Sequence, residues 1–145
     1  MAAKKIQPTL SPDAPIGQRK TQQRDAILQV LSEAPGPLSV PEIHQRASEK
    51  LESLGIATVY RTLKLLQQGA QILPVILPSG ESRFESAQHG HHEHFQCRSC
   101  SQVFDVHTCS LPRARGAILP GGFVVEDHEL TFYGTCPQCV PEDAK

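Results

Sequence analysis

The sequence predicts an α+β protein in which a helical N-terminal half precedes a strand-rich C-terminal half. Apolar residues recur at helical spacing between residues 21 and 68, whereas short alternating runs prevail after residue 72. All five cysteines and six of the seven histidines lie after residue 88. The charge also changes sign: nine basic and six acidic residues give +3 over residues 1–80, and five and nine give −4 over residues 81–145. We therefore expect two modules with different partners.

The first half carries the signals of a winged helix. We predict helices over residues 21–32, from a Ser39–Glu42 capping box to just before Gly55, and over residues 56–68. Residues 72–77 and 82–84 form a predicted hairpin around a Pro-Ser-Gly turn, and Pro74 confines the first strand to an edge. Three short helices followed by a hairpin predict a winged helix over residues 18–86. The proline-rich residues 1–17 are predicted to be a mobile arm.

The third predicted helix has features of a surface that faces DNA. It contains Tyr60, Arg61 and Lys64 but no acidic residue, and Thr58 and Arg61 lie opposite its apolar stripe. Basic and hydroxyl side chains without a compensating carboxylate favour contact with phosphates. The alternative is an ordinary solvated amphipathic surface.

The second half, residues 87–145, is predicted to be a small α/β domain. We expect strands over residues 94–96, 102–106, 123–125 and 130–133, and a short helix over about residues 110–118. Few aromatic residues and no tryptophan are available for a core, so this domain needs a metal or another cross-link.

Two Cys-x-x-Cys pairs supply the most specific motif. Cys97, Cys100, Cys136 and Cys139 offer four thiolates, and this spacing allows each pair to reach one tetrahedral ion. We predict a structural zinc site that fastens the start of the domain to its end. An iron–sulfur cluster and a redox-active Cys-x-x-Cys are the alternatives. No apolar run of signal-peptide length occurs in the first thirty residues, so we expect a cytoplasmic protein with no membrane association and with reduced thiols.

The run from His89 to His94 indicates further metal sites. On a strand, His92 and His94 share one face while His91 and Glu93 share the other. Imidazole and carboxylate ligands suit exchangeable zinc, iron(II) or manganese(II). Glu85 and Asp105 can complete the first face, and His128 the second; a solvated surface loop is the alternative.

Cys109 is the odd thiol. A lone cysteine is commonly a small buried apolar residue. At this position, the neighbouring His107 and the His-rich strand make metal ligation an equal alternative. A thiolate at this position would favour zinc over iron(II) or manganese(II).

These motifs together resemble the ferric uptake regulator (Fur) superfamily of bacterial metal-dependent transcription factors. The resemblance rests on Gly55-Ile-Ala-Thr-Val-Tyr-Arg-Thr-Leu, the His-rich strand, both cysteine pairs and His128-Glu-Leu-Thr-Phe-Tyr-Gly-Thr-Cys136, and extends from about Arg19 to Cys139. It implies a winged-helix DNA-binding domain, a dimerisation domain, and a homodimer whose metal occupancy controls binding to double-stranded operator DNA.

The resemblance also implies residue roles. Arg24, Thr58, Tyr60 and Arg61 fall in segments that contact DNA. Glu85, His92, His94 and Asp105 fall on positions of the regulatory metal, to which Cys109 is added as a substitute ligand, and His91, Glu93 and His128 fall on a possible second site.

Departures from the family pattern bear on the regulatory metal. Pro37 stands where iron and peroxide sensors place a histidine ligand, which favours a member similar to zinc uptake regulators (Zur). Ala87 stands where those regulators recruit a cysteine, and the Phe84-Glu85 pair resembles iron regulators. Pro112 falls near an acidic ligand of the second site. We expect zinc sensing, with iron, manganese or peroxide sensing as the alternative.

Two other classes of protein fit the sequence less well. A zinc enzyme would need a motif that places an open zinc position beside a general base, and the sequence contains neither His-Glu-x-x-His nor His-x-Glu with Pro-Cys-x-x-Cys. A zinc storage protein would not need the helix that carries Tyr60 and Arg61. The sequence therefore predicts a regulator and not an enzyme.

Overall fold

The computed structural model describes residues 16–144 and places three helices before a set of short strands. The helices are α1 (Ile16–Glu33), α2 (Val40–Lys50) and α3 (Ile56–Gln68). The strands are β1 (Ile72–Ile76), β2 (Ser82–Ser86), β3 (Glu93–Cys97), β4 (Val103–Val106), β5 (Ile118–Leu119), β6 (Phe123–Val124) and β7 (Thr131–Gly134), and a 3-10 turn spans Glu142–Ala144. No helix in the described part of the chain is long and apolar enough to cross a membrane.

The three helices and the β1–β2 hairpin form the predicted winged helix around one apolar core. The core consists of fifteen buried side chains between Ala26 and Ile72, drawn from all three helices, the segments that connect them, and β1. Helix α2 begins after Ser39, whose backbone N–H donates to the Glu42 carboxylate, as the capping-box pattern predicts. The Ser39 hydroxyl donates to the same carboxylate oxygen. Helix α3 ends at Gly69, also as predicted.

Helix α1 begins earlier than predicted, at Ile16 instead of Thr21. The last two residues of the predicted arm, Ile16 and Gly17, therefore belong to a helix. The remainder of that arm, residues 1–15, lies outside the described residues.

The C-terminal half contains a mixed three-stranded sheet in the order β4-β3-β7 and a small β5–β6 hairpin. Strand β3 pairs antiparallel with β4 and parallel with β7. In the described part of the chain after residue 90, the buried side chains are only Glu93, Cys97, Val103 and Cys136. This half therefore has almost no apolar core, as the sequence predicts.

The predicted helix over residues 110–118 is wrong. This segment forms successive turns closed by Ala114 N–H to Leu111 O and Ala117 N–H to Ala114 O bonds. Gly116 adopts φ +82°, in the left-handed region that interrupts a right-handed helix. Its N–H donates to Val125 O, which closes the β5–β6 hairpin.

Candidate metal centres and nucleic-acid interface

The pairing of β3 with β7 brings metal ligands together at both ends of the sheet. The two strands run parallel, and His94 stands beside Thr131 and Cys97 beside Gly134. Because parallel strands end at the same edge, the two Cys-x-x-Cys pairs that follow them meet there. The same offset continued towards the start of the strands brings His91 beside His128, whose ring centroids lie 4.8 Å apart.

The four predicted zinc cysteines form one compact cluster. Sulfur atoms of Cys97, Cys100, Cys136 and Cys139 all lie within 4.8 Å of one another. Cys100 Sγ and Cys136 Sγ are 3.9 Å apart, close to the separation of about 3.8 Å expected for tetrahedral ligands at Zn–S distances of about 2.3 Å. The donor set and its spacing fit a structural zinc ion.

Backbone donors prepare this cluster for a cation. The N–H groups of Cys100 and Cys136 lower the pKa of Cys97 to about 6, and Cys136 N–H lies 3.3 Å from Cys97 Sγ. Cys139 behaves oppositely, because the hydrogen bond with Cys136 and burial raise its pKa to about 12. A bound cation favours all four thiolates, so zinc loading releases protons.

The second cluster comprises Glu85, His92, His94 and Asp105, with ligand atoms within 4.8 Å of one another. Glu85 Oε2 lies 3.1 Å from Nε2 of both His92 and His94, and those two nitrogens are 3.1 Å apart. Asp105 Oδ1 lies 3.3 Å from His92 Nε2 and 3.8 Å from His94 Nε2. Tetrahedral ligands at about 2.0–2.1 Å from zinc would stand about 3.3 Å apart, so this geometry also fits a metal ion.

The protonation equilibria of this cluster follow from its burial and its mixed charges. Burial alone would raise the pKa of Glu85, but the hydrogen bond with His94 and the charge of His92 outweigh it and lower the pKa. Burial would lower the pKa of His92, but Gly90 O, Glu85 and Asp105 outweigh it and raise the pKa. Burial raises the pKa of Asp105.

Asp105 Oδ1 is buried and lacks a hydrogen-bond partner in the described structure. An orphaned carboxylate oxygen that faces two imidazoles is the arrangement that a cation satisfies. The cluster also spans the molecule: Glu85 lies on β2 of the winged helix, whereas His92, His94 and Asp105 lie on or beside β3 and β4. A metal held here would join the two halves.

The structure places Cys109 in a third cluster instead of with Glu85. Its ligand atoms come from His91, Cys109 and His128 and lie within 4.8 Å of one another. Cys109 Sγ is 3.3 Å from His128 Nε2. The physical reason is that β4 ends at Val106 and Ser110 is bonded to Glu93, so the intervening Cys109 lies beside His91 and His128. Two imidazoles and one thiolate form a donor set that suits zinc.

Glu93 is not among the ligand atoms of this third cluster in the described structure, although the sequence predicts it there. Its two carboxylate oxygens accept from Ser110 N–H at 2.7 Å and Ser110 Oγ at 2.9 Å. Burial would raise the pKa of Glu93, but these Ser110 bonds outweigh it and keep the pKa low. Glu93 therefore anchors the loop that presents Cys109.

Sequence reasoning missed His89 and Ser110. His89 Nδ1 lies 3.3 Å from Asp105 Oδ2, just outside the second cluster, and makes no hydrogen bond in the described structure. Its place at the start of the His-rich run was an available signal. Ser110 carries no motif and becomes significant only through its bonds to Glu93.

The predicted DNA-contacting residues share one exposed surface. Arg24, Thr58 and Arg61 line a groove of about 680 Å³ between α1 and α3. Lys20 lines it as well, and the described lining contains no acidic residue. Tyr60 is 56% exposed on the adjacent turn of α3. Arg61 Nη2 donates to Thr58 Oγ1 at 3.2 Å, and Arg24 donates to Gln71 Oε1 at 2.5 Å, so both guanidinium groups are oriented at the groove.

Large apolar side chains are also exposed in the C-terminal half. They are at least 40% exposed and lie on the β5–β6 hairpin and on β7, at Ile118, Leu119, Phe123, Val124, Phe132 and Tyr133. Among the described residues, β7 pairs with β3 alone, so its other edge is open. Exposed large apolar side chains can mark protein interfaces.

Known proteins share both the sequence pattern and this fold. The model of the ferric uptake regulator family matches residues 16–133. The ferric uptake regulation protein of Bacillus subtilis is 35% identical over 125 residues, covering 82% of this chain and 83% of that protein. The peroxide operon regulator of the same organism is 29% identical over 140 residues, covering 96% of each. A solved structure of a zinc-bound manganese uptake regulator superimposes with a TM-score of 0.65 at 26% identity, covering 82% of this chain and 94% of that one.

The named relatives respond to different signals, so likeness identifies the family without identifying the metal. The family match spans most of the described chain. The ferric uptake regulation protein of Bacillus subtilis, at 35% identity, supports the same family independently. Members of this family are transcriptional regulators and not enzymes. The chain belongs to the ferric uptake regulator family of metal-responsive transcriptional regulators.

Proposed function

We propose that this protein binds operator DNA as a homodimer when metal occupies the cluster of Glu85, His92, His94 and Asp105. The observation that carries the proposal is that Glu85 belongs to the wing strand β2 while its partners lie on or beside β3 and β4. Metal binding would therefore fix the orientation of α3 relative to the C-terminal sheet. A ligand that binds one arrangement preferentially shifts the population towards it.

The chemistry of the chain's own residues explains how this works. Glu85, His92, His94 and Asp105 would hold the metal, which would supply a positive centre in place of the proton on His92 and a partner for the orphaned oxygen of Asp105. Arg24, Thr58, Tyr60 and Arg61 then bind phosphates and base edges from a winged helix held at a defined position. In a dimer, two such helices must match the spacing of successive major grooves, so fixing their orientation raises affinity.

We propose zinc as the physiological signal. Support comes from the His91, Cys109 and His128 cluster, because a thiolate with two imidazoles favours zinc over iron(II) and manganese(II). Zinc would then occupy Cys97, Cys100, Cys136 and Cys139 structurally and the histidine clusters exchangeably.

Iron or manganese sensing, including peroxide sensing through bound iron, is the second candidate. The cluster at Glu85 offers only nitrogen and oxygen ligands, and these suit all three metals. The placement of Cys109 away from Glu85 removes the thiolate from this cluster. The two candidates therefore differ over whether DNA binding depends on the His91, Cys109 and His128 cluster in addition to the cluster at Glu85.

A parallel titration separates these candidates. Fluorescence anisotropy would follow binding of a labelled fragment from upstream of the protein's own coding sequence, with structural zinc intact and with zinc, iron(II) or manganese(II) added under metal buffering. Zinc sensing predicts a response at the lowest free concentration for zinc and its loss in Cys109→Ser. A response selective for iron or manganese that persists in Cys109→Ser would support the second candidate.

We propose that the exposed apolar side chains of β5, β6 and β7 are covered by a second copy of the chain. The support is their exposure, the open edge of β7 and the dimeric assembly of family members. Sedimentation of Phe123→Asp should give a monomer at concentrations where the unmodified protein is a dimer. A dimer of undiminished stability in this variant would place the interface elsewhere.

We also expect the protein to act in the cytoplasm, where operator DNA is accessible.

A further inference from the structure

A segment between α1 and α2 bridges the winged helix and the C-terminal sheet without any metal. This connector comprises Pro35, Gly36, Pro37 and Leu38. On one side, Leu38 exchanges backbone hydrogen bonds with Phe84 of β2, at 2.9 and 2.8 Å. On the other side, Asp105 N–H of β4 donates to Pro35 O at 2.7 Å. The connector is thus hydrogen-bonded to both halves at once.

Gly36 makes this close approach possible. A Cβ atom at this position would lie 2.2 Å from Val103 O and 2.7 Å from the Cα atom of Phe104. Both atoms belong to the backbone of β4 and have no flexible side chain to move aside. The contact therefore depends on the missing side chain, and any larger residue must separate the connector from β4.

Arg83 adds a second connection between the two halves. Its residue is only 5% exposed, on β2. One guanidinium nitrogen, Nη1, donates to Glu42 Oε2 at 2.9 Å and to Pro37 O at 3.3 Å, and Nη2 donates to Ser101 O at 3.2 Å. Glu42 caps the start of α2, whereas Ser101 directly follows Cys100 of the zinc cluster. One buried side chain therefore links the helix-turn-helix to the cysteine knuckle.

Ser101 is shaped for this contact. It adopts φ +62°, and its N–H donates to Cys97 O at 2.9 Å. The turn that holds the first cysteine pair thus leaves the Ser101 carbonyl to accept from Arg83. Charge-assisted bonds of a buried guanidinium are stronger than neutral ones and leave costly unpaired groups when broken.

We propose that the connector and Arg83 form a metal-independent latch that partly closes the winged helix onto the C-terminal sheet, so that the regulatory metal completes a closure already favoured. The inference rests on the proposed metal-controlled DNA binding. It assigns Arg83 and Gly36 as positioning residues, distinct from metal ligands and DNA contacts. Since the Asp105 N–H bonds to Pro35 and the Asp105 carboxylate belongs to the metal cluster, a metal held there would be coupled to the connector that leads into α2.

Linkage gives the latch a signature that simple destabilisation lacks. If the latch favours the closed state in the absence of metal, removing it lowers metal-free DNA affinity and regulatory-metal affinity by a similar factor. Saturating metal then restores closure, so metal-loaded DNA affinity recovers. The ratio of metal-loaded to metal-free affinity consequently increases.

The test uses Arg83→Met, which keeps the buried volume but removes the donors, and Gly36→Ala as an independent disruption. Arg113→Met, at an exposed position, and Gly69→Ala, whose Cβ would meet only ordinary contacts, are the matched controls. We expect about a tenfold loss of metal-free DNA affinity and of regulatory-metal affinity in both latch variants. At saturating metal, DNA affinity should return to within about threefold of the unmodified protein, with one structural zinc per chain retained.

Hydrogen exchange of the Asp105 amide in the metal-free, DNA-free protein tests the latch independently of the proposed function. Exchange should be slow in the unmodified protein and faster by about tenfold or more in both latch variants but not in the controls. Unchanged exchange and unchanged metal-free affinities in folded Arg83→Met and Gly36→Ala would overturn the latch. A DNA-affinity loss that saturating metal does not restore would also overturn it, since Arg83 would then act elsewhere. If the unmodified protein does not bind DNA in response to metal, the proposed function fails while the exchange result still decides the latch.

Discussion

Replacing Cys97 by serine should unfold the C-terminal sheet while leaving the winged helix folded. The C-terminal half buries Val103 as its one fully buried aliphatic side chain in the described range after residue 90, and such burial contributes about 1.5–3 kcal/mol. A structural zinc ion contributes about 10–16 kcal/mol in small zinc domains. Losing a thiolate therefore removes far more stabilisation than the remaining packing supplies.

The winged helix has a separate source of stability and should survive this change. Its core of fifteen buried side chains ends at Ile72 and includes no residue of the zinc cluster. The three α-helices that the described residues form, of 18, 11 and 13 residues, lie in this half. The helical circular-dichroism signal should therefore remain close to that of the unmodified protein, whereas amide protons of β3, β4 and β7 should lose their protection from exchange.

Zinc content, circular dichroism and residue-resolved hydrogen exchange together check this prediction. Cys109→Ser is the matched control, because Cys109 lies in a different cluster and its loss should leave the structural zinc in place. A Cys97→Ser protein with one tightly held zinc per chain and protected β3 and β7 amides would refute the reasoning.

Three further predictions concern the regulatory cluster and the DNA surface. Glu85→Gln should weaken regulatory-metal affinity at least about 100-fold. Removing even a group that only hydrogen-bonds to a metal ligand costs about 10–100-fold, and Glu85 contacts both histidines. Competition with a chelator would show this, and equal affinity in Glu85→Gln and the exposed control Glu52→Gln would contradict it. Arg61→Ala should weaken metal-loaded DNA binding at least about fivefold without metal loss; unchanged affinity in a gel shift would count against its assignment. Regulatory-metal affinity should fall as pH drops from about 8 to about 6. The pKa of His92 is raised, so a metal ion must displace a proton from this ring. A chelator titration with no pH dependence would exclude His92 as a ligand.

The sign of the pH effect on the metal-free protein is opposite. Since the folded state raises the pKa of His92, its protonated ring stabilises the fold below the ordinary imidazole pKa of 6.5 and that contribution is lost as pH rises through the raised value. The lowered pKa of Glu85 contributes stability above its ordinary value of 4.5, which is lost as pH falls through the lowered one. These two contributions together stabilise the metal-free fold most strongly between pH 4.5, the ordinary pKa of Glu85, and pH 6.5, the ordinary pKa of His92.

Local sequence patterns were sufficient to predict the winged helix and the composition of two clusters. The Ser39–Glu42 box begins α2, because an N-terminal capping box depends on residues only three apart. Helix α3 ends at Gln68, directly before Gly69, which is also a local signal. Alternation on a strand correctly separated His92 and His94 from His91. The spacing of the cysteine pairs correctly brought four sulfurs together, since a Cys-x-x-Cys turn is itself local.

Contacts between segments far apart in the sequence determine the features that local patterns did not predict. The position of Cys109 depends on the path of the chain beyond β4, and the sequence gives no local signal for it. The predicted helix at residues 110–118 failed because Gly116 takes a left-handed conformation and pairs across to Val125. The contacts of Arg83 with Glu42 and Ser101, 41 residues before it and 18 residues after it, likewise depend on how β2 packs against both halves.

The central claim is that metal joining β2 to β3 and β4 switches DNA binding. The most direct test measures the affinity of the protein for its own upstream DNA and for a scrambled fragment, with structural zinc alone and after the regulatory cluster is loaded. We predict at least about tenfold tighter binding to the upstream fragment on loading, a gain that Glu85→Gln lacks. Equal affinity with and without regulatory metal, or an undiminished gain in Glu85→Gln, would contradict the claim.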